Sequence, residues 1–115
     1  MIIKESNVTI NVKDLDKSVS FYQSIGFTIK NRWENYYAQV TAPGIVIGLH
    51  PSKESSQSNK AGHISIGFST NNFDDAKVLL KKLSVEFNAR DEEGGQFLHF
   101  NDPDETPLYF IKPKW

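Results

Sequence analysis

The chain has 115 residues, 38% of them apolar, a formal net charge of −1 and no cysteine. This is length enough for one real core but not for two independent domains, and the missing cysteine excludes disulfides, thiolate metal ligands and a Cys nucleophile. Near-neutral charge, with no basic block and no long apolar run, argues against nucleic acid and membrane as partners.

From Asn7 to Val12 polar and apolar residues alternate, so Val8, Ile10 and Val12 share one strand face and Asn7, Thr9 and Asn11 the other. Asp14 is placed to cap a helix whose stripe is Leu15, Val19, Tyr22 and Ile25, with Gly26 ending it. Three β-type segments follow, Phe27 to Lys30, Tyr36 to Thr41 and Ile45 to His50, with Asn35 and Pro43-Gly44 as turn residues. The first module, residues 1–50, reads β-α-β-β-β.

Residues 51–61 are polar, aperiodic and serine-rich, the composition of a linker. The second module, residues 62–115, repeats the pattern: a strand from His63 to Ser69, then a helix carrying Phe73, Ala76, Leu80 and Leu83. Strands at Val85 to Ala89, Gln96 to Asn101 and Pro107 to Ile111 complete it, with turns at Glu93-Gly94-Gly95 and Asp102-Pro103-Asp104. Asn7-Val-Thr-Ile-Asn-Val12 is echoed by His63-Ile-Ser-Ile-Gly-Phe68, and each run leads through a polar turn to a helical segment. Such repetition sets architecture before any single residue does. The expected fold is α+β, two tandem β-α-β-β-β modules forming a curved mixed sheet around a cleft, with the helices outside.

This order resembles the vicinal oxygen chelate superfamily, which contains glyoxalase I, bleomycin-resistance proteins, fosfomycin-resistance transferases and extradiol dioxygenases. The residues carrying the resemblance are Val12-x-Asp14-Leu15-x-x-Ser18-x-x-Phe21-Tyr22 with Gly26-Phe27, then Gly62-His63-Ile64, then Phe100-x-Asp102-Pro103-Asp104. Metal-dependent members of the family take ligands at positions that fall here on Asn7, Gly48, His63 and Tyr109. Only His63 is a strong donor among these, and Glu105 replaces the family's usual Gly after Asp-Pro-Asp. Zinc, nickel or iron needs three or four imidazole or carboxylate donors. The resemblance therefore implies a dismantled site with no metal and no cofactor, in the style of small metal-free bleomycin-resistance-like members. A rearranged site from His50, His63 and His99 is the alternative, and it would make the chain a metal-dependent lyase, isomerase or dioxygenase of the glyoxalase type.

Strand parity directs Thr9, Asn11, Gln39, His50, Ser65, His99 and Tyr109 to one side of the sheet. Together with Asn7, Trp33 and His63 they are the candidate ligand-binding residues. Mostly neutral hydrogen-bonding groups beside aromatics suit a neutral or weakly anionic organic molecule. Trp33, Tyr36 and Tyr37 crowd one hairpin, as an aromatic wall or as packing. Arg32 and Arg90 could each clamp an anion, although solvation is the commoner fate of a surface arginine. A third reading is a structural or regulatory dimer that has lost its ligand. The N-terminal segment lacks a signal-peptide core, so a cytoplasmic location is expected, and the family resemblance implies a homodimer binding a small organic ligand.

Overall fold

A computed structural model of the chain describes residues 1–52, 64–92 and 95–113. Two units of the chain, Met1–Asn59 and Lys60–Trp115, each fold around a sheet of their own. In the first, β1 (Val8–Val12) leads to α1 (Leu15–Ser24), β2 (Thr28–Trp33), β3 (Tyr37–Ala42) and β4 (Ile45–Pro51). The sheet order is β1-β4-β3-β2, with β1 parallel to β4 and the other pairs antiparallel. The second unit has the same connectivity: β5 (Ile66–Ser69), α2 (Phe73–Lys82), β6 (Phe87–Glu92), β7 (Gly95–Asn101) and β8 (Pro107–Pro113), in the order β5-β8-β7-β6. The expected pair of β-α-β-β-β modules is present.

Local chemistry sets each boundary. The Asp14 carboxylate accepts the Lys17 amide at 3.1 Å, and the Asn72 side chain accepts that of Asp75 at 3.1 Å, each satisfying an orphan donor of the first helical turn. Leu15, Val19 and Tyr22 of α1 are buried with Ile10, Val12, Ala38, Val40, Ile47 and Leu49 of its sheet. In the second unit Phe73, Ala76 and Leu80 are buried, as are Ile66, Leu98, Phe100, Leu108 and Phe110. Each sheet thus gives one alternate set of residues to a core, and the opposite set faces away from the helix.

Several boundaries move from expectation. β2 runs on to Trp33, β6 starts at Phe87 and ends at Glu92, and the second unit's first strand begins at Ile66. His63, most of the linker reading and the Glu93-Gly94 turn lie outside the described residues. In the β2–β3 hairpin the positive φ belongs to Glu34 (47°), not to Asn35. The reason is Arg32: its Nε donates to the Glu34 carbonyl at 2.9 Å, and its other arm reaches Asp16 of α1 and the Asn35 side chain. Arg32 therefore fastens the hairpin to the helix.

The Asp102-Pro103-Asp104 turn behaves as its composition implies. One Asp102 oxygen accepts the amides of Asp104 and Thr106, both at 2.8 Å, in a buried setting. Glu105 follows at φ 67°, a left-handed conformation that glycine adopts without steric cost.

Candidate functional site

On the first sheet, the face opposite α1 carries Thr9 and Asn11 from β1, Gly48 and His50 from β4, Tyr37 and Gln39 from β3, and Asn31 and Trp33 from β2. The registers align them in rows: Thr9↔Gly48, Gln39↔Gly48 and Asn31↔Gln39, with Asn11↔His50 and Trp33↔Tyr37 one pleat along. Tyr37 organises this face. Its hydroxyl lies 3.4 Å from Asn7 Nδ2, from Thr9 Oγ1 and from Gln39 Nε2, and its ring stacks on Trp33 at 5.5 Å. It can lie so flat because position 48 has no side chain. A Cβ there would collide with the Tyr37 hydroxyl and stand 2.7 Å from Thr9 Oγ1.

On the second sheet, the face opposite α2 is aromatic. His99 and Tyr109 are register partners on adjacent strands, their rings 5.8 Å apart. Phe97 stacks nearly parallel on His99 at 5.5 Å and meets Tyr109 at 5.7 Å. The Tyr109 ring leans over Gly67, its partner on β5, where a Cβ would collide with it. Asn88 faces His99 and Arg90 faces Phe97 from β6. Arg90 is exposed at the end of this aromatic row.

The structure gathers Asn7, Thr9, Gln39 and Trp33 around Tyr37, and pairs His99 with Tyr109. Asn11 and His50 pair across β1 and β4, with His50 exposed. Ser65 is exposed and precedes β5, outside any ladder. His50 and His99 belong to different units, and no group of three or more metal-ligating side chains occurs among the described residues. Phe97 is missing from the candidates named from sequence, and Tyr37 figures there only as aromatic wall or packing. Tyr37 stands two residues before Gln39 and Phe97 two before His99, so the parity that selected one member of each pair also pointed to the other.

The registers also correct one correspondence. Asn11 and Gly67 occupy the same place in the repeat, and their strand partners are His50 and Tyr109 respectively. His50, not Gly48, is thus the internal counterpart of Tyr109. One step along the same ladder, Tyr37 is the counterpart of His99. The two sheets carry the same His and Tyr pair with the strands exchanged.

A model of the glyoxalase/bleomycin resistance protein/dioxygenase superfamily matches residues 6–110. The chain belongs to that superfamily. It is 28% identical over 111 residues to the metallothiol transferase FosB of Lysinibacillus sphaericus, covering 91% of this chain and 79% of that protein. Its fold matches the fosfomycin resistance protein FosX of Listeria monocytogenes with a TM-score of 0.81 at 22% identity, over 99% of this chain and 96% of the other. It also matches the bleomycin resistance determinant of transposon Tn5, with a TM-score of 0.75 at 15% identity over 98% and 100%.

The metal set that the family resemblance implies does not fit the described positions. The Asn7 amide nitrogen is directed at the Tyr37 hydroxyl, Gly48 offers no donor, and the Tyr109 ring packs among other rings. A divalent transition metal needs imidazole, carboxylate or thiolate ligands; Asn7, Gly48 and Tyr109 supply none, and His50 is the one imidazole that the registers add.

Proposed function

We propose that this chain is a small-molecule-binding member of the superfamily, in which Asn7, Gly48 and Tyr109 replace three of the four metal ligands and only His63 keeps a strong donor. One observation carries the reading. Where the family's metal-dependent members place ligands, Asn7 is engaged with Tyr37 and Tyr109 packs against Phe97 and His99. Each sheet then offers a different surface. The first presents amides and hydroxyls around Tyr37; the second presents flat rings with Arg90 and Asn88 at their edge. Such surfaces hold an organic ligand by apolar burial and orient it with a few polar contacts. No metal or cofactor enters this reading, and the ligand is a neutral or weakly anionic small molecule.

The second reading is enzymatic, and the likeness to a metallothiol transferase favours it. It requires a rearranged metal site from His50, His63 and His99. Native mass spectrometry with elemental analysis on untagged protein separates the two readings: an organic ligand without metal supports the first, and stoichiometric zinc, nickel, iron or manganese the second.

A further inference from the structure

Resting on the small-molecule-binding reading, we propose that the first unit contains a subsite for a short-chain organic carboxylate, built on a β-bulge at Lys30. The β2–β3 register passes from Ile29↔Val40 directly to Asn31↔Gln39, which leaves Lys30 as the extra residue. Bulges of this kind re-aim a side chain next to a working surface. Here the bulge adds a cation to the face and keeps the amide pair, with Asn31 Nδ2 3.5 Å from Gln39 Oε1.

Lys30 lines a pocket of about 250 Å³ together with Glu5, Ser6, Asn7, Gln39 and Val46. Three of its side chains, Lys30, Asn7 and Gln39, offer N–H donors. Gln39 Oε1 is met by Asn31, and the amide nitrogens of Asn7 and Gln39 each spend one hydrogen on Tyr37 and keep a second. Lys30 brings three N–H donors. A carboxylate, which only accepts, is the complementary group. One already sits at the site: Glu5 Oε1 lies 3.8 Å from Lys30 Nζ, with the Glu5 side chain 80% exposed. So long and exposed a pair contributes little, and a ligand carboxylate can take the place of Glu5. Val46 supplies an apolar wall, and the volume falls below the ~300–1,000 Å³ typical of drug-sized ligands. The occupant is therefore a small acid with a short apolar body.

The test uses the whole protein, isotopically labelled, titrated with butyrate, its neutral isostere butyramide, and inorganic phosphate. Butyrate shifts the amide signals of Asn7, Lys30 and Gln39 and binds about fivefold more tightly than butyramide, the scale of one exposed ion pair. Lys30→Met abolishes that preference. Glu5→Gln strengthens butyrate binding by removing the resident competitor, a gain that a damaged fold would not produce. Equal affinity for butyrate and butyramide, phosphate binding as tight as butyrate, shifts confined to other residues, or an unchanged affinity in Glu5→Gln would each overturn the proposal. Stoichiometric metal in the purified protein would overturn the metal-free reading while leaving this comparison intact.

Discussion

The Tyr37 hydroxyl stands in the space that any side chain at position 48 would need. This pairing decides what the first sheet presents, because it draws a phenol across the strands to meet Asn7, Thr9 and Gln39. Gly48 has an ordinary backbone conformation and is buried, so alanine there is opposed by collision and not by φ. Gly48→Ala should destabilise the protein by about 1–3 kcal/mol, the usual cost of overpacking. In Tyr37→Ala the same change should cost much less, giving a coupling of about 1 kcal/mol or more in a urea double-mutant cycle. Additive effects would show that the two positions do not compete for space.

Glu105 occupies a left-handed conformation, φ 67°, at the end of the Asp102 turn. Glu105→Gly removes a steric cost of about 1–2 kcal/mol and loses part of that gain to a more flexible unfolded chain. The net expectation is a stabilisation of about 0.5–1 kcal/mol by chemical denaturation. A loss of similar size would mean that the Glu105 side chain contributes more than its backbone costs.

Much of this architecture is legible in the sequence because alternation and helical period are local signals. Val8, Ile10 and Val12 fall on the core side, and Asp14 caps α1, as their spacing requires. The candidate site was legible only in part. Parity places Thr9, Gln39, His99 and Tyr109 on the faces away from the helices, but parity says nothing of which long side chain leans across a neighbouring strand. Tyr37 becomes a hub through the gap at Gly48, a relation between strands that no window of one strand contains. The same holds for the Lys30 bulge, which exists only in the register between β2 and β3. Arg32 was ambiguous for the opposite reason: its partners Asp16 and Asn35 are close in space but lie on both sides of it in sequence.

Tyr109 and His99 are paired on adjacent strands and share one aromatic neighbour, Phe97. Tyr109→Phe keeps the ring and removes only the hydroxyl; His99→Phe keeps a flat ring beside Phe97. Each should weaken binding of the co-purified ligand by about 1 kcal/mol or more, the scale of a lost buried hydrogen bond, measured by calorimetry. Unchanged affinity in both variants would remove this face from the binding surface.

β2 and the turn after it expose Ile29, Trp33 and Tyr36, at 43%, 50% and 74%. A small domain gains by covering such apolar side chains with a second copy of itself. Light scattering at micromolar concentration should report a homodimer, and Trp33→Glu should shift it toward the monomer. A monomer mass throughout that range in the unaltered protein would count against this.

Of the family's four metal positions only His63 keeps a strong donor, too few to hold a transition metal. Elemental analysis of untagged protein, dialysed and then offered zinc, nickel, iron and manganese in turn, tests this most directly. The account predicts well under one equivalent of every metal. One equivalent of any of them, lost when His63 is replaced by Ala, would contradict it.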